Sequence, residues 1–262
     1  MTSSIQLKPD AAVKYLLRIA DTTLILGQRL GEWCGHAPVL EEDIALANMA
    51  LDLIGQTRGV LTRAGQLDGA GLDEDKIAFL RDERDYLNAT IVELPNGPNG
   101  SADFAFTVLR NLVCATWLKL LWERLRDSSD SELAAIAGKA LKEARYHQQH
   151  AADWVLRLAG GTDESRARID VALASLWRYT PELFEADAAD DAAHASGLGP
   201  RRSDLREPWL AEMTLVFGEA GLALPEESAF RSTGSHGVHT EHMGYILAEM
   251  QFLQRAYPGG AW

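Results

Sequence analysis

Cysteine is nearly absent: Cys34 and Cys114 are the only two in 262 residues. Neither has a second Cys or a His at the spacing of a zinc site, so a disulfide-built scaffold and a zinc ribbon are excluded and a reduced, cytoplasmic setting is expected. Basic residues are also short, with 25 Lys and Arg against 38 Asp and Glu, for a net charge of −13. An acidic surface repels phosphate, which removes nucleic acid from the expected partners. No run approaches the 18 or more apolar residues of a membrane span, and the opening MTSSIQLKPD has no apolar segment of signal-peptide type. Neither membrane insertion nor secretion is therefore expected. Missing as well is any convincing period-two alternation of apolar and polar residues, which leaves no candidate strand.

Apolar residues make up 47% of the chain and charged ones 24%, the balance of an ordinary globular protein. A chain of this length buries about three quarters of its unfolded surface. Apolar positions recur at three and four, as in Leu40, Ile44, Ala47, Leu51, Ile54 and Leu61, which predicts amphipathic helices that hide such stripes against one another. The nine prolines fall where helical patterns start, stop or are absent, because proline removes a helix hydrogen bond and clashes with the preceding turn. The reading gives seven helices, over 10–34, 39–68, 101–127, 131–159, 165–191, 204–221 and 240–257. Asp10 after Pro9, Ser129 with Glu132 three residues on, and Thr180 before Pro181 read as helix starts. Gly160-Gly161 and Pro258-Gly259-Gly260 read as stops. Segments 69–76 and 94–100 are Gly/Pro/Asn-rich connections and 187–203 a polar crossover, none long enough for an interdomain linker. The expected fold is all-α: one ferritin-like four-helix bundle over 1–262, two long hairpins joined by a crossover, with additional C-terminal helices.

In such a bundle the chemistry lies in the core, where lone carboxylates and two Glu-x-x-His pairs converge on two irons. None of the seven histidines, His36, His147, His150, His194, His236, His239 and His242, follows a Glu by three. Asp191 and His194 have the spacing, but in an Ala/Asp-rich stretch that reads as surface. The second and fourth long helices place Asp52 three before Gly55 and Ala144 three before His147, at a common offset of 92 residues, like two Glu-x-x-His pairs each missing a partner. Asp21 shares a helix face with Leu17, Leu24 and Gln28, where a core should be apolar, and its counterpart at the same offset is Val113. Asp21, Asp52 and His147, even with Glu143, leave too few hard oxygen ligands for two cations. Buried ion pairs are the favoured reading, with Arg18, Arg58, Lys142 or Arg145 as partners, and breaking one would strand a buried charge.

GSHGVHTEHMG carries His236, His239 and His242 at intervals of three, with Glu241 between. Converging imidazoles would make a zinc site; helix capping or contact with another chain is the favoured alternative. In LGQRLGEWCGHAP, Glu32, Trp33, Cys34 and His36 lie together, but no Asn or Asp orients the imidazole as a nucleophilic cysteine requires, so a packed corner around Trp33 is expected. RDERDYLN (81–88) reads as a solvated charged face that would also suit a partner. Seven tryptophans exceed one core's need, which places some at an interface.

Together LGQRLGEWCGHAP (26–38), EEDIALANMALDLIGQTR (41–58), RDERDYLN, LPNG (94–97), KEARYH (142–147) and GVHTEHMGYILAEMQFLQRAYPG (237–259) resemble the C-subunit branch of the bacterial phenylacetyl-CoA epoxidase family. The resemblance runs over nearly the whole chain from about residue 13. It implies a ferritin-like fold and a place in a complex that uses O₂ and reducing equivalents to convert the ring of phenylacetyl-CoA into a 1,2-epoxide during aerobic phenylacetate breakdown. It implies that the di-iron centre belongs to a paralogous catalytic A subunit, with this chain as its structural mate in a heterodimer that assembles further. A small B subunit and a reductase with an iron–sulfur cluster and flavin, supplied by NADPH, complete the implied complex. No catalytic or metal-binding residue transfers to this chain, because Asp21, Asp52, Gly55, Ala144 and His147 stand where the catalytic member has its ligands. Two other readings stay open on the residues: an active di-metal oxygenase, if Asp21, Asp52 and His147 converge, and a zinc hydrolase or lyase, if the 236–242 histidines meet beside a pocket.

Overall fold

The computed structural model describes residues 4–8 and 10–260, so Pro9, read above as a boundary, and Trp262 lie outside the described residues. Among them are α1 (Ala11–Gly31), α2 (Leu40–Asp68), α3 (Glu74–Phe79), α4 (Thr90–Glu93), α5 (Phe104–Leu125) and α6 (Ser131–Ala159). There follow α7 (Asp163–Leu176), α8 (Ala188–Ser196), α9 (Arg206–Glu219), α10 (Glu241–Met250) and α11 (Phe252–Ala256), and no strand occurs among the described residues. Helices α1 and α2 form one long hairpin, α5 and α6 another, and the hairpins meet along α2 and α6. Helices α7 and α9 pack on α5, α8 covers α1, and α10 leans on α4. This is the expected all-α four-helix bundle with further C-terminal helices.

The long helices start where a short acid can take the free backbone donors. Asp10 accepts from the N–H groups of Ala12 (2.8 Å) and Val13 (3.2 Å), and Asp103 does the same for Ala105 and Phe106. The fourth long helix is capped by Asp130, not by Ser129: its carboxylate takes the N–H groups of Glu132 and Leu133, while its other oxygen holds Arg63 of α2 at 2.7 Å. One acid thus starts α6 and ties it to α2. Gly69, at φ 72°, ends α2 in the left-handed conformation that glycine adopts freely.

The expected helix over 165–191 is broken. After α7 the chain tightens into a 3-10 run over Trp177–Phe184 that contains Pro181, and Thr180 bonds back to the Trp177 carbonyl instead of starting a helix. Asp187 then caps α8, so the expected polar crossover contains a helix. Connection 69–76 is shorter than read, because α3 begins at Glu74, whereas 94–100 extends to Asp103, because α5 begins only at Phe104, and the last helix divides at Gln251.

The core is continuous through both hairpins, with Tyr15, Trp122, Trp209 and Phe217 almost wholly enclosed. Helix α5 is long and apolar enough to cross a membrane, contrary to the scan of unbroken runs, yet 89% of its most apolar stretch is buried inside the protein. Most of the stripe read on α2 points the other way from expectation, Leu61 alone of its larger members facing the core. Leu40, Ile44, Leu51 and Ile54 are exposed, by 72%, 54%, 65% and 39%, while Leu46, Met49, Leu53, Val60 and Leu61 face the core. The helix is apolar on two faces, so periodicity alone cannot say which one is buried. Of the tryptophans, Trp33, Trp117, Trp122, Trp177 and Trp209 are buried in the core and Trp154 is half-buried.

Candidate functional site

Asp21 lies inside α1 with no exposure and faces Arg81, which is equally buried. The guanidinium donates twice, at 3.0 Å to Oδ2 and 2.5 Å to Oδ1, and the Leu87 N–H adds a third bond to Oδ2 at 2.8 Å. Arg81 also donates to the Ile77 and Asp85 carbonyls, at 2.7 and 2.9 Å, and lies 4.2 Å from the centre of the Tyr86 ring. Both charges are therefore desolvated, paired in the strong bidentate form and further hydrogen-bonded, the combination that makes a buried pair tolerable. This corrects two expectations. The partner of Asp21 is none of those anticipated: Arg18 turns to Asp187 and Asp190, Arg58 to Glu74, and Arg145 to Glu123. Nor is RDERDYLN a solvated face, since Arg81, Tyr86 and Asn88 are buried and only the middle of the segment is exposed.

Asp52 and His147 do meet, Oδ2 to Nε2 at 3.1 Å, across the seam between α2 and α6. The setting is opposite to that of Asp21, because the Asp52 side chain is 37% exposed while that of His147 is only 5% exposed. Burial pulls the His147 pKa below its ordinary value, and the Asp52 bond offsets only part of that. The same seam holds Glu42 against His150 at 2.8 Å and Glu143 against Gln56 at 3.0 Å. Gly55 opens to solvent, with nothing within 4 Å of where a side chain would begin, whereas Ala144 is buried.

A carboxylate-bridged di-iron centre takes about four carboxylates and two histidines. The residues present do not fit one. Both Asp21 oxygens are taken by Arg81 and Leu87, while Gly55, Ala144 and Val113 offer no donor atom. Among the described residues no three His, Cys, Asp or Glu side chains come together as a metal site. The open condition of convergence is unmet for Asp21, Asp52 and His147, and equally for the 236–242 histidines.

Those histidines separate. His236 is exposed and His242 half-buried, beside a groove with Glu32, Trp33, His36 and Tyr245, and Glu241 is exposed. His239 alone turns inward, Nδ1 at 3.3 Å from Glu93 Oε1 and Nε2 at 2.9 Å from the Tyr86 carbonyl oxygen. Burial opposes its charge, but the Glu93 contact outweighs that and the pKa rises. Burial also raises the Glu93 pKa, although this carboxylate accepts from the N–H and hydroxyl of Thr240. Glu182, unnoticed in the sequence, is 1% exposed and takes the N–H of Ser235 (2.7 Å), the N–H of Thr90 (2.9 Å) and the Ser232 hydroxyl (2.6 Å). Two buried acids thus clamp residues 232–240 onto the 86–93 segment. Gly234 is required there, since a Cβ would lie 2.6 Å from the Asn88 carbonyl oxygen.

At the Cys34 corner, Trp33 is buried and donates to Thr107 at 3.0 Å, but Cys34 and His36 lie outside. Cys114 is enclosed, and burial pushes its thiol up to about 12, which leaves it unreactive.

A family model described as "Phenylacetic acid catabolic protein" matches residues 2–262. The C subunit of the 1,2-phenylacetyl-CoA epoxidase of Escherichia coli (strain K12) is 49% identical over 248 residues, covering 95% of this chain and 98% of that protein. The chain belongs to the phenylacetic acid catabolic protein family, whose fold is ferritin-like.

Proposed function

We propose that this member of the phenylacetic acid catabolic protein family is a non-catalytic subunit of a phenylacetyl-CoA 1,2-epoxidase, paired in the cytoplasm with a di-iron catalytic A subunit. A small B subunit and an NADPH-dependent reductase with flavin and an iron–sulfur cluster complete the assembly. The observation that carries this reading is the Asp21–Arg81 pair. In the position of a metal-binding carboxylate stands an acid whose oxygens are both committed to a cation and a backbone N–H. An oxygen so held cannot also face a metal ion without expelling the guanidinium into an uncompensated interior.

The pairing rests on α2. Leu40, Ile44, Leu51 and Ile54 form an exposed apolar stripe along the first half of α2, with Tyr146 of α6 (52% exposed) close by. A second helical bundle would bury that stripe as the core buries the opposite face, at about 25 cal/mol for each Å² removed from water. A structural mate of this kind serves catalysis by holding bundle geometry, which metal ligands need to within about 0.5 Å.

The test is to purify the chain alone and with a co-expressed catalytic partner, each reconstituted with iron. Alone it should retain no stoichiometric iron, while the pair should retain two irons per heterodimer and lose activity when this chain is omitted. Two irons per isolated chain, or full turnover by the catalytic partner without it, would overturn the proposal. Leu51→Glu should weaken the pairing by at least about tenfold while changing monomer stability by no more than about 0.5 kcal/mol.

A further inference from the structure

The densest group of rings in the molecule lies away from both the α2 face and the α2–α6 seam. It forms where the 3-10 run Trp177–Phe184 meets α9. Trp177 and Trp209 have ring centres 5.4 Å apart, Phe184 and Trp209 5.1 Å, and Trp177 and Phe217 5.8 Å. Trp209 spends its N–H on the Val113 carbonyl, at 3.0 Å, which fixes the cluster to α5. The rings do not fill the space between them and the extended chain after α9. A pocket of about 200 Å³ remains, walled by Trp177, Phe184, Trp209 and Leu210, with Leu224 and Pro225 at its mouth.

We infer that this pocket binds a small uncharged molecule built on one aromatic ring. Three observations point to that class. Its volume suits a single ring with a short substituent, since an apolar cavity of about 150 Å³ takes up benzene and drug-sized ligands need about 300 Å³ or more. Its walls are chiefly rings and aliphatic groups, with Thr180 and the Arg206–Glu227 pair beside them, so an incoming ring can pack offset or edge-on against Trp177, Phe184 and Trp209. Its rim disfavours anions. Arg206, the lining cation, is already paired with Glu227, which also lines the pocket, at 2.7 Å and with Glu207 at 3.1 Å. A guanidinium shared between two carboxylates leaves no free cation in the lining to take a carboxylate or phosphate, which disfavours a CoA ester at this place.

The inference does not depend on the proposed subunit role, because the pocket is complete within this chain. The test is titration of the full-length protein with benzyl alcohol, read by saturation-transfer NMR, with phenylacetate as the charged comparison. Benzyl alcohol should bind saturably with a Kd of about 1 mM, the scale for so few atoms. Phenylacetate should bind at least about tenfold more weakly. Leu210→Trp, which fills the pocket, should weaken benzyl alcohol at least about tenfold with the circular dichroism melt unchanged. Should that variant fail to fold, Leu224→Trp on the exposed rim makes the same test. Absence of saturation, equal binding of phenylacetate, or undiminished binding by the folded variants would overturn the inference. So would a loss of subunit pairing in Leu210→Trp with benzyl alcohol binding intact, which would assign the pocket to a partner's side chain.

Discussion

Asp21 on α1 and Asp52 on α2 occupy corresponding roles in the expected ligand set, yet the protein holds them in opposite ways. Asp21 is sealed: its charge is met by a guanidinium brought from a loop sixty positions on, and a backbone N–H completes the shell. Asp52 stands in the open seam beside the apolar face of α2, meeting one imidazole at 3.1 Å with over a third of its side chain exposed. The contrast shows what each acid does. In low dielectric a carboxylate must be fully paired or the fold loses several kcal/mol, so Asp21 fixes the 81–87 segment against α1. At the seam water can take over whatever the protein leaves unpaired, and Asp52 carries little stability.

The largest expected effect breaks this comparison directly. Asp21→Asn leaves Arg81 charged and uncompensated in the core and should cost about 3–5 kcal/mol in urea denaturation, whereas Asp52→Asn should cost less than about 1 kcal/mol. Removing both charges together, as Asp21→Leu with Arg81→Met, should recover most of the loss, because an apolar pair of similar volume needs no desolvation. Equal losses at Asp21 and Asp52 would mean that the two sites do not differ as described. A smaller effect sharpens the same point at another buried acid. Glu182→Gln keeps the shape but leaves one acceptor oxygen where there were two, so its NH2 is set against the N–H of Ser235 or of Thr90, and it should cost about 1–3 kcal/mol. Hydrogen exchange should then quicken at residues 232–240 before it does in α1, since the clamp rather than the bundle is loosened.

The helical layout was legible because its signals are local. Asp10 caps and Gly160 stops, each within a few residues of its own effect. The errors arose where local rules compete or do not reach. Ser129 and Asp130 both suit a cap, and only the pull of Arg63 from α2 favours the second. Helix α2 has two apolar stripes, and the one easier to see faces outward. Arg81 looks like one charge in a charged run, and nothing in its neighbours announces a partner at position 21. Glu93 and Glu182 were silent for the same reason: a buried acid is recognised by the donors folded around it, which come from distant segments. The lack of Glu-x-x-His was readable from spacing alone, while the sealed state of Asp21 needed three dimensions.

The subtlest expected effect sets the two inward histidines against each other through pH. His147, with its pKa lowered mainly by burial, is held neutral in the fold. Its contribution to stability is complete above the unfolded value near 6.5 and is lost as pH falls through the lower folded value. Asp52, Glu143 and the neighbouring His150 are the titratable groups that face it. His239 behaves in reverse, because burial opposes its charge but Glu93 overcomes that and raises the pKa, with Glu83 adding to the effect. Its contribution is complete below about 6.5 and is lost as pH rises through the higher folded value. The raised pKa of Glu93 has the same sign, so the clamp on residues 232–240 weakens on the alkaline side while the α2–α6 seam weakens on the acid side. Urea denaturation from about pH 5 to pH 8 should show both limbs in the native chain. His147→Gln should flatten only the acid limb and His239→Gln only the alkaline one. If either substitution flattened both, the seam and the clamp would be one coupled unit, and the distinction between an open edge and a sealed interior would fail for the histidines even if it held for the acids.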